Sequence, residues 1–187
     1  MKIGKKLYLT NRKEWRYWLK KNHDAEKEIW LIFYKKHTNK PRIPYNDAVE
    51  EALCFGWIDS IVKKIDENKF VQRFTPRKKK STISEMNKER IRKLIKEGKM
   101  TIHGINAIGN NFSKNKSSQL IVAQDILKAL KSDKKVWKNF QKFPRNYIRI
   151  RIAYLESQRA HNKKMFLKSL RYLIKMTAKN KKFGMIK

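Results

Sequence analysis

The chain is expected to fold as an α+β protein, a small antiparallel sheet with a helix–hairpin–helix core followed by a basic C-terminal helical region. Three observations predict this. The run Glu28–Lys36 (E-I-W-L-I-F-Y-K-K) is dense in β-forming residues and bounded by charge. Two further β-rich runs, Ile58–Ile65 and Lys69–Thr75, are separated by Asp66-Glu67-Asn68, the residue types of a hairpin turn. Beyond residue 120 the apolar pattern is helical throughout.

In chain order, Asn11 with Glu14 three residues on is a capping pair, opening a helix whose buried face holds Trp15, Trp18 and Leu19 and which stops near Asn22-His23-Asp24. The unbroken apolar centre of Glu28–Lys36 predicts a strand buried on both faces. Prolines 41 and 44 keep His37–Pro44 a loop. Asn46 is expected to cap the next helix, with Ala48, Val49, Ala52, Leu53 and Phe55 as its buried side and Gly56 at its end. Pro76 ends the second hairpin strand. Ser81 and Ser84 are both placed to cap a helix over about 85–97, with Ile91, Leu94 and Ile95 as its stripe and Gly98 as its close. A short helix follows Gly104 and reaches Phe112. Ser113–Ser118 (S-K-N-K-S-S) reads as a linker, which gives an α+β domain over 1–112, a linker over 113–118 and a basic helical region over 119–187. Helical segments are expected at Leu120–Leu130 and Val136–Phe140, then two longer ones split near Ala160-His161-Asn162. Residues 148–152 (I-R-I-R-I) alternate as a strand does, yet Tyr147, Ile150 and Tyr154 fit helix spacing, and both neighbours are helical; helix is the expectation. Lys179–Lys187 is expected to fray.

With 187 residues, five Trp and nine Phe, the chain can bury a core without disulfides or metal. Its net charge is +32, with 48 Lys and Arg against 16 Asp and Glu. Such a surface attracts nucleic acid, another polyanion or an anionic membrane. A Lys-rich, Gly-poor composition also follows from genomic base bias, which explains Lys over Arg but not the scarcity of acids. Cys54 is alone, so no intrachain disulfide forms; Ile29–Tyr34 is the longest strongly apolar run, far short of a membrane span; and no apolar stretch follows the basic N-terminus. A cytoplasmic location is the expectation. The histidines 23, 37, 103 and 161 show no metal-ligand spacing. No Walker loop, G-x-G-x-x-G, H-E-x-x-H or G-x-S-x-G is present, so no catalytic residue, metal or cofactor is assigned.

The candidate site lies between Glu51 and Asn87. Arg73, Arg77, Lys78, Lys79 and Lys80 lead through Ser81 to Ser84 and a helix N-terminus. Unpaired N–H groups, guanidinium forks and hydroxyl donors there suit a phosphate or carboxylate; the plainer reading is a solvated basic loop with a capping serine. Trp57 and Asp59 share one strand face, where Asp59 can pair with Arg77 and pin the loop, or face a ligand. Cys54, at a helix C-terminus after an apolar run, reads as a buried structural thiol.

The blocks A-V-E-E-A-L-C-F-G-W-I-D-S at 48–60, T-P-R-K-K-K-S at 75–81, S-x-x-N at 84–87 and G-K-M at 98–100 resemble the YdeI/OmpD-associated family of bacterial proteins. The resemblance is strongest from Trp15 to Ile108 and singles out Trp57, Asp59, Ser60, Pro76 and Asn87. Ile83 and Ile102 depart from the family pattern, and its C-terminal signature is weakly met by Gln158-Arg159 and Asn162-Lys163-Lys164. The resemblance implies a bacterial source and a bacteriocin-protection or stress context, without an established reaction. Two functional readings stand: a non-enzymatic polyanion (nucleic-acid) binder, and a small-ligand module or enzyme with a pocket around Trp57, Asp59, Arg77 and Asn87. Contact of the basic helices with a membrane surface is a third. Oligomeric state is left open.

Overall fold

A computed structural model describes residues 2–78, 81–109, 112 and 120–184. The chain divides into two compact units, Met1–Ile83 with Arg90–Lys114, and Ser84–Glu89 with Asn115–Lys187. The fold class is α+β, with four strands and eight α-helices among the described residues.

The elements of the first unit are β1 (Lys6–Tyr8), α1 (Arg12–Asn22), β2 (Ile29–Tyr34), α2 (Tyr45–Cys54), β3 (Trp57–Lys64), β4 (Lys69–Pro76), most of α3 (Glu85–Lys96) and α4 (Ile102–Ile108). The sheet order is β1-β2-β4-β3. The expectation of an antiparallel sheet is corrected to a mixed one, because β1 pairs with β2 in parallel. Three residues, K-L-Y, are too few to show a strand period. The hairpin turn falls where expected, and Asp66 Oδ1 closes it by accepting from the N–H groups of Asn68 (2.7 Å) and Lys69 (2.9 Å). A bulge interrupts β3 between Asp59 and Val62.

Register sorts the sheet into two faces. Ile29, Phe74 and Asp59 lie abreast, as do Leu31 with Gln72 and Phe33 with Phe70. This face meets the helices: Ile29, Leu31, Phe33 and Phe74 join Trp15 and Leu19 of α1, Val49 and Leu53 of α2, and Ile91 and Leu94 of α3 in one buried cluster. The other face carries Lys6, Trp30 and Arg73, then Tyr8, Ile32 and Val71, then Tyr34 and Lys69.

The Asn11–Glu14 cap forms as expected, Asn11 Oδ1 accepting from the Glu14 N–H at 3.1 Å. The Glu14 carboxylate reaches one residue further back, to the Thr10 N–H (2.9 Å). The prolines exclude helix only from residue 41 on, and a single 3-10 turn occupies Lys36–Thr38. Asn46 does not cap α2. Pro44 holds that position, and the Asn46 Oδ1 instead accepts from Arg90 Nη2 (2.7 Å) and Nε (3.2 Å). Gly56 ends the segment at φ +76°, a conformation that glycine adopts without Cβ strain. On α3, Ile91 and Leu94 are buried, but Ile95, expected in the stripe, is exposed.

The second unit holds α5 (Gln124–Lys131), α6 (Lys134–Lys142), α7 (Arg145–His161) and α8 (Lys163–Ala178). The I-R-I-R-I run lies within α7. Asn162 closes α7 and opens α8, its Oδ1 accepting from the Lys164 N–H at 2.8 Å. Ile126, Leu130, Val136, Phe140, Phe166 and Leu173 form the centre of its core. The expected fraying after residue 178 is corrected for Phe183, whose N–H donates to the Tyr147 hydroxyl (3.2 Å) and whose ring meets Tyr172 edge-on at 4.8 Å. The expected linker 113–118 lies outside the described residues, as do Lys79 and Lys80.

Candidate functional site

The residues that the sequence grouped are dispersed. Arg73 lies on the face away from the helices and is held by Glu28, Nη2 at 2.5 Å and Nε at 2.7 Å, so its fork is already occupied. Arg77 is half-buried; its Nη2 donates to the Ser81 carbonyl, and burial lowers its pKa from the ordinary value. Lys78 is exposed. The Ser81 hydroxyl turns back to the Lys78 carbonyl (2.7 Å) rather than capping a helix, while Ser84 Oγ accepts from the Asn87 N–H (3.3 Å). Ser84 and Asn87 fall in the segment that groups with the second unit, whereas Trp57, Asp59 and Arg77 belong to the first.

Trp57 and Asp59 do share a face, the one toward the helices. Trp57 is buried, its Nε1 donates to the His23 carbonyl (3.0 Å), and Trp18 meets its ring edge-on at 5.8 Å. The expected Asp59–Arg77 pair is corrected: the partner of Asp59 is the Tyr45 hydroxyl, which donates to Oδ2 at 2.5 Å. Burial and then Asp59 push the Tyr45 phenol well above its ordinary pKa. Alternation predicted the face but not the partner, because α2 starts at Tyr45 and brings its hydroxyl over β3. Ser60, on the edge strand β3, and Pro76, the last residue of β4, are exposed.

A charged network that sequence reading missed lies beside this pair. Glu50 and Glu51 are only 3% and 1% exposed, inside a motif read as having one buried face. Arg12 reaches Glu51 through Nε and Glu50 through Nη1 (2.9 Å); Arg16 reaches Glu51 at 2.6 Å and the Lys99 carbonyl at 3.0 Å. Burial pulls the Arg12 and Arg16 guanidiniums down, and the carboxylates more than offset it, leaving both above their ordinary values. Each carboxylate is met by cations, which marks the network as a clamp between α1 and α2. His23 and His103 also come together, ring centroids 4.1 Å apart. Among the described residues no group of three or more His, Cys, Asp or Glu is placed to hold a metal ion. No helix described is long and apolar enough to cross a membrane.

The sheet face away from the helices offers a different chemistry. Tyr8 is 39% exposed and meets the half-buried Tyr34 edge-on at 5.1 Å. Lys40 Nζ stands 4.7 Å from the centre of the Tyr34 ring and Lys69 Nζ 5.9 Å. Lys63 Nζ covers Trp30 at 5.9 Å. Lys6 is exposed on the same face. Carboxylates nearby include Glu28, committed to Arg73 and Trp30, and, in the hairpin turn, Asp66, which meets Lys69 at 3.5 Å, and Glu67, which meets Lys64 and Lys35. Tyrosines framed by lysines are a surface that can stack bases and hold phosphates. The sequence signal was there in K-L-Y and F-Y-K-K, but only the register puts the two tyrosines side by side.

No curated protein and no solved structure matches the chain. Residues 7–107, more than half of it and nearly all of the first unit's elements, match the family described as a domain of unknown function, DUF8412. The sheet apart from Lys6, the helices that cover it, and Tyr8 and Tyr34 with Lys40 and Lys69 fall within that span, and the chain belongs to the DUF8412 family.

Proposed function

We propose that the chain is a non-enzymatic polyanion binder whose ligand is single-stranded nucleic acid, held on the Tyr8–Tyr34 face of the sheet. The observation that carries this reading is the edge-on pair of exposed Tyr8 and half-buried Tyr34, with Lys40 and Lys69 at the Tyr34 ring. The net charge of +32 adds long-range attraction. Lys6, Lys40 and Lys69 meet phosphates, and a base stacks on each ring, so binding is tolerant of sequence and steeply dependent on salt. This moves the contact surface from the Arg77–Ser84 loop to the sheet. The resemblance of its sequence blocks to the YdeI/OmpD-associated family supports a place in bacteriocin or stress protection, and a cytoplasmic site of action fits a nucleic-acid ligand.

Fluorescence anisotropy with a short single-stranded oligonucleotide, its duplex and heparin tests the reading. At near-physiological salt the single strand is expected to bind more tightly than the duplex or heparin, and Tyr8→Ala with Tyr34→Ala to cost about 1–3 kcal/mol per stacked base. Equal competition by heparin, with no effect of the tyrosine substitutions, would reduce the charge to composition and sink the proposal.

A further inference from the structure

We propose that the second unit holds a site for a small amphipathic anion, a single carboxylate or phosphate head on an apolar body, with Arg151 as the partner of the head group. A groove of about 510 Å³ is lined by Arg151, Tyr154, Met165, Tyr172, Leu173 and Phe183, among others. That volume is within the range of small-molecule sites. Arg151 is only 7% exposed, and its Nε is buried with no hydrogen-bond partner. Among the described residues no carboxylate lies within ion-pair distance of it. The acids in 120–184 are committed elsewhere: Asp125 and Glu156 to Arg159, and Asp133 to the cap of α6. What surrounds the guanidinium is aromatic, with Phe183 at 5.0 Å, Tyr147 at 5.7 Å and Tyr154 at 5.9 Å from the ring centres.

Ring faces attract the charge of a guanidinium but leave its N–H fork without acceptors. A buried guanidinium with no anion is costly, and the cost is recovered when a carboxylate or phosphate takes the fork. The groove therefore has one polar requirement, at Arg151, and apolar walls for the rest of the ligand. Exposed Lys168, Arg171 and Lys175 also line it and bias entry toward anions. Arg159, on the same helix, is satisfied by two carboxylates and carries no such requirement.

The test is calorimetric titration of the full chain with octanoate, octyl phosphate, octanol and inorganic phosphate, at salt high enough to screen the overall charge. The proposal expects one site per chain at which at least one of the two amphipathic anions binds about tenfold or more tighter than octanol and than inorganic phosphate. Whichever anion binds tighter identifies the head group. Arg151→Met removes that preference while the melting temperature holds or rises, because the variant no longer buries an unpaired charge. Should Arg151→Met fail to fold, Ser169→Trp, which fills the groove and keeps Arg151, decides: loss of anion binding supports the site. Octanol or inorganic phosphate binding as tightly as the amphipathic anions, Arg151→Met binding unchanged, or a folded Ser169→Trp that still binds, each overturns it.

Discussion

Glu51 shows how much a single side chain can hold. It is almost fully buried and accepts from both Arg12 and Arg16, tying the first two turns of α1 to α2. Removing one member of a buried ion network strands the others, so Glu51→Ala is expected to cost about 3–5 kcal/mol in urea unfolding, far more than the removal of an exposed carboxylate. A loss under about 1 kcal/mol would mean that the arginines relax into solvent instead. Cys54, on the same helix, gives a prediction in pH. Burial first, and then the charge of Glu51, push its thiol from 9.0 up to about 11. The folded state thus holds this proton more tightly than the unfolded chain does. Its contribution is complete below about pH 9, falls as pH rises, and is gone above about pH 11. Two units correspond to roughly 2–3 kcal/mol. Stability of Cys54→Ala relative to the native chain is therefore expected to improve steadily across that window, since the alanine has no proton to lose. A difference that stays flat from pH 9 to 11 would show the thiol to be unperturbed.

At the scale of elements, the close seat of α4 on α2 turns on Gly104. A Cβ there would lie 2.2 Å from the Cys54 carbonyl oxygen and 2.7 Å from its carbon, both backbone atoms that cannot swing aside. Glycine to alanine within a helix ordinarily stabilises by about 1 kcal/mol. Here Gly104→Ala is expected to destabilise by about 1–3 kcal/mol, because α4 must lift and lose the bonds from the Thr101 N–H and Oγ1 to the Cys54 carbonyl. An unchanged denaturation midpoint would contradict that seat. Sequence reading could not see this contact, since it joins positions fifty residues apart. What it could see was local: β2, the hairpin with its Asp66 turn, Asn11 as a cap, and Asn162 at the break between the last two long helices all follow from periodicity and cap chemistry. Where it failed, a non-local partner intervened. Asn46 looked like a cap until Arg90 took its oxygen, and β1 is a strand only because β2 lies beside it. The candidate site was less legible than the fold for the same reason. Trp57 and Asp59 were read correctly onto one face, but the loop cations were grouped by their nearness in sequence, whereas Arg73 and Arg77 are held by different partners on the folded chain.

For the whole molecule, the question is whether a charge of +32 acts as a diffuse field or through a defined surface. A diffuse field predicts that every lysine is equivalent: removing any three lowers the affinity for polyanions alike, and tyrosines do not matter. The sheet-face reading separates two readouts. Lys6→Ala, Lys40→Ala and Lys69→Ala together remove phosphate partners, so the log–log salt slope for a single strand is expected to flatten by about 0.7 per lysine, or roughly 2 in all. Tyr8→Ala with Tyr34→Ala removes stacking but no charge, so affinity falls at every salt concentration while the slope is unchanged. Three exposed lysines taken from α6, for example Lys134, Lys135 and Lys138, serve as the matched control. The control leaves net charge equal to that of the first triple variant, so any difference between them reports position rather than total charge. If the two triple variants flatten the slope equally and the tyrosine pair changes nothing, the field is diffuse. If the effects divide as the sheet face requires, the basic composition supplies the attraction and the two tyrosines decide where the strand comes to rest.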